Sequence, residues 1–281
     1  MLLLVVAIHS AKAQMIFDTL QLSELEILGK KTDYYKTVKQ TTIDTLIKQE
    51  YDLSTLGELL GVYTPVVVKS YGKGALSTAS FRGTGASHTQ VYWNDFVINS
   101  PMLGQVDFSL IPNSFVDEVE LFYGGGSLIK SNGALGGGVS LNNSSGFNDI
   151  PLFSIEQAVG SFGYFSTAAG LNLGNETFRS VTRFSNQAAK NDFSYNNTAL
   201  APPQQMTQQN AEYRNTGFTQ QFSYRPAQNH LITFSSWNQW NKRNIPTIMT
   251  NVEDGFDQSE KQKDIFSRNA LSWAIIKTVR A

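Results

Sequence analysis

The chain has 281 residues, of which 41% are hydrophobic, and its 22 basic and 23 acidic side chains leave a formal net charge of −1. This length accommodates one large domain or two ordinary ones, with enough apolar content for a core. Because the two signs of charge are balanced and neither forms a block, the composition argues against a nucleic-acid partner. The chain has no cysteine, which excludes disulfides and thiolate metal sites.

The first residues have the pattern of a secretory signal peptide, which we assign to residues 1–13. Residues 2–8 form an apolar run, and Ala11-Lys12-Ala13 supplies a cleavage site before Gln14. No basic residue precedes the run, so we expect the true start of the protein to lie upstream; the alternative is a buried strand or helix. No other apolar run reaches the roughly 18 residues of a membrane-spanning helix, so we expect an exported protein without a helical anchor.

The segment that follows, residues 14–34, is polar and sparsely apolar. Within it, apolar and polar residues alternate from Leu20 to Leu28. This alternation is compatible with an edge strand and also with a flexible arm.

Two short helices and a strand are predicted next. The helices cover 41–50 and 54–60, and in the second Ser54 is the expected N-cap and Gly61 the expected end. The apolar run over 65–68 predicts a buried strand.

Residues 79–141 carry the densest set of structural signals. Two apolar runs meet at Asn94-Asp95, a pair that tolerates the left-handed conformation of a tight hairpin turn. A short helical piece over 107–112 ends at a proline, and an alternating strand follows over 116–121. Seven of the 22 glycines then lie between positions 124 and 138. We interpret these glycines as positions of positive φ and close backbone approach; the alternative is that they let the domain rearrange when pulled.

From residue 151 onward the sequence alternates apolar and polar residues, with aromatic residues on one parity. The predicted strands lie at 153–159, 165–173, 177–186, 212–225, 229–241 and 264–277. Segments of about ten residues with this alternation are typical of membrane β-barrel strands. Short turns follow the second and fourth strands, and connections of about 25 and about 22 residues follow the third and fifth. This asymmetry is typical of outer-membrane barrels; a soluble β-sandwich is the alternative.

Taken in order, residues 79–141 resemble the plug domain of the TonB-dependent outer-membrane receptors. The matching features are Phe81-Arg82-Gly83, the Asn94-Asp95 hairpin, Ile111-Pro112, the strand over 116–121 and the glycine-rich segment 132–139. Tyr123 stands where an arginine is common in the family, and Gly125 where a proline is common. The resemblance implies a mixed α/β plug domain over 35–145, followed over 151–281 by the N-terminal part, about six strands, of an antiparallel transmembrane β-barrel.

Six strands are too few for such a barrel. Barrels that hold a plug have about 22 strands, and an open sheet would expose unpaired edges to lipid. We therefore expect the chain to be truncated relative to a closed barrel, and to be inactive in transport as it stands.

The resemblance also implies location and partners. The protein would lie in the outer membrane with its plug facing the periplasm, where a TonB-type energy transducer would pair with residues 14–34 by strand addition. The residues assigned to this pairing are Leu22, Glu24, Leu25, Glu26 and Ile27. Outer-membrane lipid and a surface lipoprotein are the other expected partners. Arg82 would contact the barrel and pair with its carboxylates, whereas from the residues alone an exposed arginine beside a turn is as good an interpretation.

The ligand is expected at the outward apices of the plug. The residues assigned to it are Tyr71, Ser87, His88, Asn99, Ser100, Met102 and Gln105. Their aromatic and amide groups suit a large neutral or chelated ligand. The runs over 86–91 and 98–105 look most like the cobalamin-receptor-like branch, so a corrinoid is the first expectation and a ferric siderophore the second. The alternative function is a secreted β-rich adhesin or glycan-binding module.

No catalytic, cofactor or metal site is predicted. The three histidines, His9, His88 and His230, are far apart in sequence, and no nucleophile or metalloprotease motif occurs. The acidic run over 253–257 is compatible with a calcium ligand set, but such a run is more often a solvated loop.

Overall fold

The computed structural model describes residues 39–124, 135–144, 146–147, 152–246 and 260–275. The part up to residue 147 is called the N-terminal domain below. Its elements are β1 (Gln40–Thr42), α1 (Thr45–Glu50), α2 (Leu56–Tyr63), β2 (Val67–Ser70), β3 (Ser77–Ser80), β4 (Thr89–Trp93), β5 (Phe96–Val97), β6 (Glu118–Tyr123) and β7 (Gly137–Asn142). Five of these strands form a sheet in the order β1-β6-β7-β4-β5, in which only the β4–β7 pair is parallel.

The hairpin predicted at Asn94-Asp95 is confirmed. Trp93 pairs with Phe96, and the two turn residues between them have φ values of 47° and 69°. Positive φ at both central residues matches the right-handed twist of the flanking strands. The short helical piece is also confirmed as a 3-10 turn over Phe108–Leu110, capped by the Asp107 side chain.

The first predicted helix starts later than expected. Thr41 and Thr42 belong to β1, which pairs with β6, and α1 begins only at Thr45 after the cap Asp44. Pairing with a distant strand overrides the local pattern here.

The second helix is confirmed, but its ends were wrong. Thr55, not Ser54, is the N-cap and forms a reciprocal capping box with Glu58. The Ser54 hydroxyl instead donates to the carbonyl of Tyr51, at 2.7 Å. The helix runs through Gly61 and ends at Tyr63.

The strand predicted as buried over 65–68 is mostly exposed. β2 pairs only with β3, in a two-stranded ribbon outside the main sheet. Val66 is buried, but Val67 is 61% exposed. A ribbon with one neighbour leaves one face in solvent, which local hydrophobicity does not reveal.

The core of the N-terminal domain lies between α2, the 3-10 turns and the main sheet. Leu56, Leu59 and Leu60 share one face of α2, as predicted, and are fully buried. They pack in one cluster with Phe108, Phe115, Val91, Val119, Leu121, Val139 and Leu141. Burial of these apolar side chains is the main favourable contribution to the free energy of folding of the domain.

The glycine-rich segment supports the close-approach interpretation where it is described. Gly137 has a φ of 155°, and a Cβ there would lie 2.4 Å from the carbonyl oxygen of Phe122. A Cβ on Gly136 would lie 2.2 Å from the hydroxyl of Thr84. A side chain at either position would therefore displace its neighbours.

All six strands predicted after residue 151 are present. They are β8 (Leu152–Gly160), β9 (Tyr164–Gly174), β10 (Phe178–Ala189), β13 (Tyr213–Ala227), β14 (His230–Asn244) and β15 (Lys261–Ile275). They form one antiparallel sheet in the order β15-β14-β13-β10-β9-β8. The last three have 15 residues each, one or two more than predicted. Because β14 continues to Asn244 and β15 starts at Lys261, the final connection is shorter than the expected length of about 22 residues. The connection after β10 contains its own hairpin, β11 (Ser194–Asn197) with β12 (Gln204–Thr207).

The two faces of this sheet differ in chemistry. One face is buried against the N-terminal domain and is largely polar; it includes Ser185, Gln187, Asn215, Gln221, Gln239 and Asn241. The opposite face carries exposed aromatic residues, namely Phe178, Phe184, Phe218, Phe222, Phe234 and Trp240. An apolar outer face with a polar inner face is the pattern of a transmembrane β-barrel wall. Within the described ranges, no helix has the length and apolar character needed to cross a bilayer.

Candidate ligand-binding face

Three connections meet at one end of the six-stranded sheet. The backbone N–H groups of Lys190 and Asn191, which follow β10, donate to the carbonyl of Phe162 in the β8–β9 turn, at 3.0 and 3.2 Å. The Asn191 side chain also donates to the carbonyl of Lys73 in the N-terminal domain, at 2.9 Å. We call this the long-loop end, because the connections after β10 and β14 both lie there. The short turns around Asn175 and Gln228 lie at the other end.

The loop over 71–76 joins β2 to β3 and rests on the sheet at this end. Gly74 has a φ of 73°, and a Cβ there would lie 2.1 Å from the ring of Tyr213, so only glycine fits between the loop and β13. Tyr71 is 63% exposed, and the Lys69 ammonium lies 4.9 Å from the centre of its ring. Tyr71 is therefore presented to solvent, as a ligand-binding aromatic would be.

The loop over 99–105 is held by the side chain of Asn99. Its oxygen accepts from the backbone N–H of Val91 at 2.8 Å, and its nitrogen donates to the carbonyls of Thr89 and Gly104 at 2.9 and 2.8 Å. Asn99 was predicted to contact ligand, but these three bonds occupy it in shaping the loop. Sequence alone could not tell whether Asn99 binds a ligand or shapes the loop, because both roles use the same hydrogen-bonding groups of the amide.

The tip of this loop projects outward. The N–H of Ser100 donates to the carbonyl of Gln105, at 3.0 Å, closing the loop at its base. Met102 is 93% exposed and Leu103 is 68% exposed. An exposed apolar pair on an ordered base is the kind of surface that suits contact with a ligand or partner.

Ser87 and His88 lie beside this loop. Both are exposed in a 3-10 turn over Ala86–His88, and a Cβ on Gly104 would lie 3.5 Å from the Cβ of Ser87. The structure thus brings Ser87 together with the loop that carries Asn99, Ser100, Met102 and Gln105. No hydrogen bond or ring contact among the described residues joins Tyr71 to this group.

An ion pair lies between the two loops. Arg243 of β14 donates to a carboxylate oxygen of Asp107 at 2.8 Å, and both side chains are nearly buried. The other Asp107 oxygen accepts from the backbone N–H groups of Ser77 and Ser109, both at 3.0 Å. Arg243 also donates twice to the Gln262 side chain, at 3.0 and 2.8 Å. A fully hydrogen-bonded pair of this kind fixes the loop bases to the sheet.

Two small cavities flank this ion pair. One, of about 230 Å³, lies beneath the 99–105 loop and is lined by Leu76, Ser100, Gln105, Arg243, Gln262 and Asp264. The other, also of about 230 Å³, lies beneath the 71–76 loop beside Glu58 and Tyr213. Ligand pockets usually measure about 300–1,000 Å³. A large ligand would therefore lie across the loop tips rather than inside either cavity.

Below this face, the N-terminal domain meets the sheet through polar contacts. The carbonyl of Leu53 accepts from the Tyr164 hydroxyl, the Ser166 hydroxyl and the Gln187 amide, at 3.1, 3.0 and 2.9 Å. The carbonyl of Ser144 accepts from the side chains of Arg179 and Gln221, at 2.7 and 3.0 Å.

A second ion pair crosses the same interface. Arg183 donates to Asp117 at 2.6 Å, and the Asp117 side chain is 35% exposed. Polar contacts of this kind can be exchanged for water more easily than apolar ones.

Arg82 lies beside Gly124, at the start of the run of glycines between positions 124 and 138. It is exposed, has a φ of 50°, and its guanidinium approaches Gly124. Within the described part of the chain, no carboxylate lies within ion-pair distance of it. The pairing with barrel carboxylates stays a prediction for strands beyond those described. The predicted pairing segment at Leu22–Ile27 and the acidic run over 253–257 lie outside the described residues.

Sequence reasoning missed the groups that organise this face. In the sequence, Asp107 is only the start of a helical piece, and no motif marks Arg243, Gln262 or Tyr213. The alternation in β14 was the available signal, because it places Trp237 and Arg243 on the face of the strand that does not carry Phe234 and Trp240. In the described ranges, no group of three or more histidine and carboxylate side chains could hold a metal ion.

A compact domain seated on the polar inner face of a membrane-type β-sheet is the arrangement of a plugged outer-membrane receptor. Comparison with known proteins gives the same class. Residues 30–138 match the family model of the TonB-dependent Receptor Plug Domain. Over 98 residues, 34% of this chain, the sequence is 33% identical to the vitamin B12 transporter BtuB of Photobacterium profundum.

Solved structures extend the likeness beyond the plug. The siderophore receptor PirA from Acinetobacter baumannii aligns with 85% of this chain at a TM-score of 0.62 and 12% identity. The copper transporter OprC aligns with 72% of it at a TM-score of 0.58 and 13% identity. Over residues 30–138 the chain thus matches the plug domain of the TonB-dependent receptors, and its strands after the plug have the fold of the start of the barrel in these solved structures.

The chain spans only part of these relatives. The match covers 16% of the length of the B12 transporter, and the chain covers 38% of PirA and 31% of OprC. The names of these three proteins refer to a vitamin, a siderophore and a metal, so the shared fold does not specify what is bound.

Proposed function

We propose that this chain supplies the plug and the first barrel strands of a receptor that takes up a large, scarce ligand across the outer membrane. The observation that carries the proposal is the pair of plug loops at the long-loop end, anchored by the Asp107–Arg243 ion pair. Their tips, Tyr71 and Met102, are exposed on an ordered base. Ordered loops with exposed apolar tips suit recognition of a ligand larger than either cavity.

A corrinoid is the first proposed ligand and a ferric siderophore the second. The 33% identity to a vitamin B12 transporter supports the corrinoid. The siderophore receptor among the structural neighbours supports the second choice by fold alone. A secreted adhesin or glycan-binding module is not favoured. The exposed face of the sheet carries its aromatic side chains, which suits contact with lipid better than contact with water.

In the proposed mechanism, ligand binding is followed by displacement of the plug. A TonB-type periplasmic partner would pair with the arm over 14–34 and pull on it. The polar contacts at Leu53 and Ser144 support this, since water can replace each of them as the plug moves. No covalent chemistry is involved.

The long-loop end is proposed to face outward and the short turns the periplasm, with outer-membrane lipid around the aromatic face. A surface lipoprotein that covers the long loops is a further proposed partner. The sheet has open edges at β8 and β15. We therefore propose that transport requires additional strands on these edges, and that residues 1–281 alone do not transport.

Binding of cyanocobalamin to the detergent-solubilised chain tests the ligand, with a ferric catecholate siderophore as the second probe. We expect His88→Ala to weaken binding about tenfold, because the exposed imidazole lies beside the 99–105 loop and would be part of the contact surface. The matched control is His230→Ala, because His230 lies at the short-turn end and contacts Trp273. Equal binding by both variants would contradict the assigned face, and binding of neither probe would contradict both ligands.

A further inference from the structure

Three basic side chains occupy one register row on the aromatic face of the sheet. Arg214 of β13 pairs with Lys242 of β14, and Lys242 pairs with Lys263 of β15. All three are exposed. We call these three residues the basic row.

The basic row is electrostatically unfavourable by itself. Like charges directly opposite each other on neighbouring strands are destabilising, and strands about 4.8 Å apart place the backbone positions of the three residues within roughly 10 Å. Among the described residues, no carboxylate forms an ion pair with any member of the row. A bound anion would relieve this repulsion.

A surface cavity surrounds the row. It measures about 810 Å³, and two further cations, Lys190 and Lys261, line it together with the carboxylate of Glu212. Five cations against one carboxylate give the cavity a strong preference for anions.

The row lies directly beyond an apolar band on the same face. Two residues before Lys242 is Trp240, 47% exposed and stacked on Phe218 with ring centres 6.1 Å apart. Two residues after Lys263 is Ile265, 60% exposed. Aromatic side chains on a barrel wall mark the edge of the hydrocarbon layer, and lysine or arginine just beyond them lies at the headgroup level.

We propose that the basic row binds the phosphate groups of an anionic membrane lipid whose headgroup carries at least two phosphates. Arg214 can bind one phosphate through two parallel hydrogen bonds, and the two lysines supply point charges for a second. The acyl chains would cover Trp240 and Ile265, a contact that a soluble phosphate cannot make. The inference rests on the proposed function only for the orientation, which places this lipid in the outer leaflet.

The test measures binding of bisphosphorylated lipid A to the full chain in detergent micelles, with phosphatidylcholine as the comparison lipid. Each basic residue near a charged lipid surface contributes about fivefold in affinity, so we expect Arg214→Gln/Lys242→Gln to weaken lipid A binding about 25-fold. The control is Lys39→Gln, which removes an exposed plug lysine outside both proposed sites and should leave the binding of lipid A and of cyanocobalamin unchanged. Circular dichroism checks the fold. If the first variant does not fold, Lys263→Gln on the exposed edge strand should lower the affinity about fivefold.

Three results would overturn the proposal: equal affinity of the variant and the wild type, equal binding of phosphatidylcholine, or displacement of lipid A by inorganic phosphate at the same concentration. Cyanocobalamin binding is measured on the same samples. Loss of lipid binding and loss of ligand recognition are thereby told apart.

Discussion

The indole of Trp237, on the barrel strand β14, packs edge-to-face against Trp93 of the plug, with ring centres 5.5 Å apart and planes at 76°. Trp237 is fully buried and also contacts Phe115 of the plug at 5.7 Å. Although most of the interface is polar, two barrel side chains, Trp237 and Ala270, are thus part of the plug core. The contact between Trp93 and Trp237 couples the packing of the two domains, so we expect the loss of the Trp237 ring to affect both.

Trp237→Ala should therefore destabilise the plug itself. The substitution leaves a cavity between the two domains, and we expect a loss of about 3–5 kcal/mol in the free energy of unfolding. Urea unfolding in detergent micelles, followed by near-ultraviolet circular dichroism, measures it. Trp240→Ala is the control, because Trp240 is on the outer face of the same strand; an equal loss there would contradict the account.

The Asp107–Arg243 pair should behave as a buried ion pair. Asp107→Asn leaves the Arg243 charge without its partner, and we expect it to cost about 3 kcal/mol of stability. Because Asp107 and Arg243 are coupled, Asp107→Asn/Arg243→Gln should cost less than the sum of the single variants. The more exposed Asp117–Arg183 pair is the comparison: Asp117→Asn should cost about 1 kcal/mol or less. Additive losses at the first pair, measured by urea unfolding, would argue against a coupled buried pair.

Gly137 should tolerate no side chain. In Gly137→Ala the Cβ would overlap the Phe122 carbonyl and the Phe81 ring, so we expect a loss of more than about 2 kcal/mol. Gly83→Ala is the matched control: its φ of 74° is also left-handed, but a Cβ there meets nothing within 4 Å. Its cost should be only about 1 kcal/mol, from backbone conformation alone. Thermal unfolding of both variants gives the comparison, and equal losses would show that close packing at Gly137 is unimportant.

The secondary-structure elements that could be predicted from the sequence are those that depend on neighbouring residues. The hairpin at Asn94-Asp95 and the alternating strands after residue 151 follow from turn chemistry and from a period of two, which neighbouring residues determine. The start of α1 and the exposure of β2 could not be predicted in the same way, because they depend on which distant strand pairs with which.

The candidate ligand face was predictable only in outline. Ser87, Met102 and Tyr71 lie exposed on the predicted loops, but Asn99 is occupied by three internal hydrogen bonds. The base of the face needs Arg243 opposite Asp107, two residues 136 positions apart in sequence. Only the packing of the plug against the sheet brings them together.

The orientation of the chain in the outer membrane is tested most directly by cysteine labelling in intact cells, because the chain has no cysteine of its own. Gln209→Cys places a thiol on the long connection after β10, and Gln228→Cys places one in a short turn; both positions are exposed. With a membrane-impermeant maleimide added outside, the account predicts labelling at position 209, and at 228 only after the outer membrane is permeabilised. Labelling at 228 but not at 209 would reverse the orientation and place the ligand face in the periplasm. Equal labelling of both sites in intact cells would show that these strands do not cross the membrane.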